Sequence, residues 1–128
     1  MSLDITFKGP WFDGRAERAI DQACTDALDD VSSFAEERVL LGTSASFKTR
    51  TPYYETRITT TRVSSDSTLV NDQGVIYGPW QEGVGSRNAP VTRFAGYHHW
   101  RKAKAAVVVR GPQIAEIAVQ RRLPEMGA

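Results

Sequence analysis

Between Gly14 and Leu41 the residues Ala16, Ala19, Ile20, Ala23, Ala27, Leu28, Val31, Phe34 and Ala35 recur at spacings of three and four. That period draws one apolar stripe down a single helix. At about 1.5 Å per residue, a helix over 14–41 spans roughly 42 Å, more than the diameter of a domain built from 128 residues. Part of the stripe is therefore expected to pack outside its own core. Asp13 stands where an N-cap belongs, and Gly42 where a helix commonly stops. Alanines dominate the first half of the stripe and permit another backbone to approach closely. Cys24, beside them, reads as a small core hydrophobe. It is the only cysteine, so neither an internal disulfide nor a thiolate metal cluster is available.

The rest of the chain punctuates into short elements. In 1–12, Leu3, Ile5 and Phe7 alternate before Gly9-Pro10, an extended arm or strand, and Trp11 and Phe12 follow where they can staple the helix start. Residues 43–52 are polar and breaker-rich and read as a loop. From Tyr53 to Tyr77 the β-branched and aromatic content, broken at Ser64–Ser67 and Asn71–Gly74, predicts a three-stranded antiparallel meander. Residues 78–93 form a glycine-rich loop. Residues 94–123 turn helical, with Tyr97, Trp100, Ala103, Lys104 and Val107 on one face, and Gly111-Pro112 divides them into two helices. The expected fold is a single α+β domain over 1–128: a long N-terminal helix on a small antiparallel sheet of about three to four strands, then one or two C-terminal helices.

Hydrophobic residues make up 41% of the chain and charged residues 24%, which excludes wholesale disorder. No apolar run approaches the roughly 20 residues of a membrane span, and Met1-Ser2-Leu3-Asp4 does not begin a secretion signal. The net charge of +1 is split: residues 1–42 carry nine acids against four bases, and the remainder twelve bases against six acids. Either one half of the chain attracts the other, or an acidic face meets the basic face of a neighbouring copy.

Catalytic signatures are sparse. His98 and His99 are adjacent, so on a helix they point about 100° apart and do not share a metal ion. Gly83-Val84-Gly85-Ser86 lacks the lysine of a phosphate-binding loop and the third glycine of a dinucleotide site. Glu82 with a histidine, Arg87 and Arg93 would be needed for a small nucleic-acid-binding or cleaving site, without a nucleophile–base–orienter arrangement. Phe94, Tyr97 and Trp100 interleave with bases but read as the buried side of an amphipathic helix rather than a stacking platform. No cofactor is expected.

The run Tyr77-Gly78-Pro79-Trp80-Gln81-Glu82-Gly83, then Gly85-Ser86-Arg87-Asn88, then Thr92-Arg93-Phe94-Ala95-Gly96-Tyr97 ahead of a basic helix resembles the tail-completion (minor tail, neck) proteins of the head–tail connector in long-tailed double-stranded DNA phages. The order of elements is similar over about residues 14–110. The resemblance implies a structural virion protein without enzymatic activity, made in the host bacterial cytoplasm and placed at the head–tail junction. Its subunits would form a ring, commonly a hexamer, that joins the capsid portal complex to the tail tube. The partners implied are further copies of itself, adjacent neck and tail proteins, and genomic DNA crossing the lumen. A closely similar tail terminator is the alternative. Tyr77, Trp80, Glu82, Arg87 and Arg93 are the candidate subunit-interface residues. Lys48 and Arg50 are the candidates for a loop that meets the lumen or an adjacent ring.

Overall fold

Asp13 starts the long helix as its chemistry requires. Its carboxylate accepts the backbone N–H of Arg15 at 3.0 Å and the Arg15 guanidinium at 2.6 Å. The backbone hydrogen bond, ahead of the guanidinium charge, holds the Asp13 carboxyl below the usual carboxylate range. The computed structural model describes residues 1–46, 52–84, 88–89 and 93–127. In chain order it contains α1 (Arg15–Ser46), α2 (Pro52–Arg57), β1 (Thr59–Ser64), β2 (Ser67–Asn71), α3 (Gly78–Glu82), α4 (His99–Gln120) and a 3₁₀ turn at Leu123–Met126. The architecture is α+β: a long N-terminal helix, a small antiparallel sheet and a C-terminal helix. Among the described residues no helix is long and apolar enough to cross a membrane.

α1 and α4 run antiparallel. Gly42 meets His99 near one end and Gly111 lies beside Val31. Asp26 pairs with Arg122 at the other end, at 2.8 Å. Two apolar clusters form along this pair. Val39, Tyr54, Ile58, Val75 and Ala103 make the larger, with Leu40, Val70 and Trp100 packed on it. Ala16, Ala19, Ala23 and Met126 make the smaller, at the start of α1. A buried aliphatic side chain such as Val39 contributes about 1.5–3 kcal/mol by leaving water. The hairpin lies against α1 through polar contacts: Thr60 donates to Glu36 at 2.6 Å, and the Ser32 and Thr68 hydroxyls are 2.5 Å apart.

Several sequence expectations need correction. The sheet has two strands, β1 and β2, rather than three or four. Residues 52–57 are helical: Tyr54 and Ile58 stand four apart and both enter the core, so helical spacing outweighed β-branched content. Val75–Tyr77 is not a third strand. Asn71 and Asp72 accept the amides of Gln73 and Gly74 at 2.8 and 3.0 Å, and Gly78 N–H then turns back to the Val75 carbonyl at 3.0 Å.

Gly42 does not end α1, which continues to Ser46 and takes in the start of the expected loop. Its role is spacing. A Cβ there would lie 2.7 Å from the Cβ of His99, so only glycine allows this approach. Gly111-Pro112 does not divide α4. Pro112 is exposed while Gly111 is buried toward α1, so the lost backbone hydrogen bond faces water. The arm at 1–8 is irregular rather than a strand, and Cys24 is exposed rather than in the core.

The charge split is compensated partly within the chain. Asp29 pairs with Arg62 at 3.5 Å, Asp30 with Arg121 at 3.6 Å, and Asp26 with Arg122. Hydrogen bonds from the Gln22 amide and then the Arg122 guanidinium hold the Asp26 carboxyl below its ordinary range. Such surface pairs are individually weak, but all three tie later segments to α1.

Gly42 provides the test of this packing. Gly42→Val forces α1 and α4 apart and is expected to destabilise the protein by roughly 1–3 kcal/mol, read from urea unfolding midpoints. A C-terminal stop made dispensable by the continuing helix would instead tolerate valine with little change.

Candidate functional site

The turn carrying Tyr77, Trp80 and Glu82 is built by punctuation. Pro79 sits in the first turn of α3, and Gly83 closes that helix with φ 104°, its N–H reaching the Pro79 carbonyl at 2.9 Å. Gly96, at φ 103°, crosses directly against Gly83: a Cβ on Gly96 would run into the Gly83 backbone, and one on Gly83 into the Ala95 carbonyl. Two glycines are therefore required at one crossing. Beside it, Tyr97 N–H donates to the Gln81 carbonyl at 2.6 Å, and the Asn88 amide bridges the carbonyls of Trp80 and Phe94 at 2.9 and 3.3 Å.

This crossing delivers Glu82 to the start of α4. One carboxylate oxygen accepts the Trp100 N–H at 2.8 Å and the other the Arg101 N–H at 2.9 Å. A negative group over the unsatisfied amides of a helix start is favoured by both hydrogen bonding and the helix dipole. Glu82, Arg87 and Arg93 stand together among the interface candidates read from the sequence. Among the described residues no ion pair joins Glu82 to Arg93, and Arg87 lies outside them. His98, just before α4, adopts a left-handed φ of 57°, an uncommon conformation for a residue with a side chain.

Trp80 is 39% exposed and Tyr77 is 38% exposed. Trp80 packs on Phe94 with ring centroids 4.4 Å apart, and Phe94 meets Tyr97 edge-on at 5.0 Å. Phe94 and Tyr97 thus precede α4 and pack edge-to-face on one another rather than lining a face of it. Arg93 is exposed. Lys48 and Arg50 lie outside the described residues.

Beneath the turn lies a hydrogen-bonded chain that sequence reasoning missed. The Trp100 indole N–H donates to the Tyr54 hydroxyl at 2.9 Å, and that hydroxyl donates to Asp72 at 3.1 Å. Burial, above all, pushes the Tyr54 phenol well above its ordinary value, so it stays neutral and remains a donor. The only available signal was the helical spacing of Tyr54 and Ile58. His99 is buried beside these rings, edge-on to Tyr54, and burial lowers its pKa against the opposing pull of Glu82 and Asp72. An open cleft of about 490 Å³ follows this layer, bounded by Val70, Asp72, Ile76, Pro79, Glu82 and Trp100. Among the described residues no group of three or more His, Cys, Asp or Glu is placed to hold a metal ion.

Comparison with protein-family models, with curated proteins and with solved structures gives no match. Two measurements test the site's architecture. Glu82→Ala should cost about 0.5–2 kcal/mol through loss of the cap, and Glu82→Gln, which keeps one acceptor oxygen, should cost less; equal losses would assign the effect to charge alone. The second concerns pH. His99 has a folded pKa below its ordinary value of about 6.5, so the unfolded chain gains a proton first as pH falls. The stability tied to the neutral ring is fully present above about pH 6.5 and is lost as pH falls through the lowered folded pKa. His99→Phe should flatten that part of the stability–pH curve.

Proposed function

We propose that the chain is a structural subunit of the head–tail connector (the neck, or tail-completion, ring) of a long-tailed double-stranded DNA phage, with the tail terminator ring as the alternative position. Copies assemble head to tail into a ring, sixfold by the resemblance, between the portal complex and the tail tube. The genome crosses the lumen, and Lys48 and Arg50 are the lumen or ring-contact candidates. The role is mechanical and requires no catalysis.

The observation that carries this reading is the distribution of exposed apolar side chains. Ile5, Phe7, Trp11 and Phe12 on the arm are each more than 60% exposed, as are Ile76 and Val84 around the site turn and Val108 and Val109 on α4. The buried set, by contrast, leans on alanine. Separate apolar areas on one small chain suit a heterologous interface, in which one patch meets a different patch on the next copy. Further support comes from the order of elements: long helix, hairpin, Tyr77–Glu82 turn, Arg93-Phe94 approach and final helix. Within the turn, Trp80 is the candidate anchor, since half-exposed tryptophan is among the residue types that dominate interface energies.

Trp80→Ala separates anchoring from folding. Loss of the Phe94 stack should lower stability by about 1–2 kcal/mol, well under the 3–5 kcal/mol of a fully buried tryptophan, while particle assembly fails. Normal particle yield from this variant would remove Trp80 from the interface. Imaging of particles carrying a tagged chain tests the reading itself: density at the head–tail junction is expected, and absence of the chain from purified virions would overturn it.

A further inference from the structure

The arm and the hairpin have complementary unused surfaces. Leu3, Ile5 and Phe7 alternate with Asp4, Thr6 and Lys8, so the segment is an amphipathic strand by pattern. Yet residues 1–8 are irregular and exposed, and no hydrogen bond joins them to other described residues. Phe7 merely stacks on Phe12 at 5.0 Å. The hairpin offers the matching half. It is a two-stranded sheet, so among the described residues no strand pairs with the edge of β1 away from β2. Its two faces differ sharply. Thr60 and Arg62 turn toward α1, where they meet Glu36 and Asp29. Thr61 opposes Leu69 on the outward face, where Leu69 is 53% exposed.

We propose, building on the ring reading, that Leu3–Lys8 of one copy adds antiparallel to the free edge of β1 in a second copy, with Asp4 opposite Arg62 and Ile5 opposite Thr61. Charge complementarity selects this register. It sets Asp4 beside Arg62, whose guanidinium also holds Asp29 and the Ser64 and Ser65 carbonyls, and brings Lys8 to the end of β1 that lies over Glu36. The same register aligns Ile5, Thr61 and Leu69 in one outward row, ahead of the ladder irregularity between Arg62 and Ser64. Main-chain hydrogen bonds along the edge supply affinity, and the alternating side chains fix the register.

Geometry excludes the same pairing within one chain. The arm is pinned to the start of α1, where the Ala16 N–H donates to the Pro10 carbonyl at 2.8 Å. The hairpin is held further along α1, from Asp29 to Glu36, about 20–30 Å from Ala16 at 1.5 Å per residue. Phe7 stands three residues before Pro10 and reaches roughly 10 Å at full extension. It therefore falls short of Thr59 in its own chain, and a second copy must provide the edge.

Disulfide trapping between full-length chains tests the register. In a Cys24→Ser background, one chain carries Ile5→Cys and the other Thr61→Cys; opposed residues of an antiparallel pair have Cα atoms about 4.5–5.5 Å apart, within disulfide reach. Mixed at high concentration, and again in assembled particles, the pair should yield at least tenfold more covalent dimer than Ile5→Cys with Thr60→Cys, whose side chain leaves by the opposite face. Self-association without that preference overturns arm exchange and leaves the ring reading standing. An Ile5→Cys/Thr61→Cys double variant that closes within single chains overturns the exchange between copies. Chains that neither self-associate nor enter particles overturn both.

Discussion

Everything in this fold depends on how closely α1 and α4 approach. Along their antiparallel contact a glycine stands at each close approach: Gly42 against His99 and Gly111 against Val31; beyond the end of α4, Ala16, Ala19 and Ala23 pack on Met126 of the 3₁₀ turn. Close approach of two helices multiplies dispersion contacts that are individually slight. It also fixes the spacing at which α2, the hairpin and the 75–84 turn can dock. A larger residue at Gly42 would move α4, and with α4 the cap, the aromatic layer and the cleft.

Polar groups then orient what the helices position. Glu82 reaches α4 from a different segment and neutralises its first free amides, so the site turn and the final helix are fixed to each other by a charge-assisted contact. The Trp100–Tyr54–Asp72 chain runs from α4 through α2 to the end of β2. Because each buried polar atom in it has its partner, this chain specifies a single arrangement where an alanine-rich interface alone would tolerate sliding. The three ion pairs from α1 to Arg62, Arg121 and Arg122 act in the same sense at the surface.

The long helix was legible because its stripe is periodic over many turns, and Asp13 because carboxylates at helix starts have a specific chemistry. The α+β class and the first hairpin were legible too. Other positions misled for identifiable reasons. Gly42 and Gly111 carry a local signal for termination that is indistinguishable in sequence from the signal for close packing. Tyr53–Arg57 has strand-like composition, and only the burial of Tyr54 with Ile58 resolves it as helix. Glu82 was recognisable as chemically important, but its partners are backbone amides 18 and 19 residues away, which composition does not reveal. The Tyr54–Asp72 contact similarly depends on a tertiary meeting. Cys24 lies just off the stripe, and a few tens of degrees of helix rotation decide between core and solvent.

The two apolar clusters differ in what they require of the chain. The larger gathers α1, α2, α4 and Val75 around Tyr54. The smaller joins the first turns of α1 to Met126, closing a loop over nearly the whole sequence around three alanines and one methionine. With α1 and α4 already packed and Asp26 joined to Arg122, the Met126 contact closes only a short further segment, and alanines return little buried area for it. Local opening of a native protein begins where contacts are fewest. The start of α1, its arm and the terminal 3₁₀ turn thus form the unit that detaches most readily while the Tyr54 core stays folded, so the exposed arm is mounted on the part of the molecule that yields first.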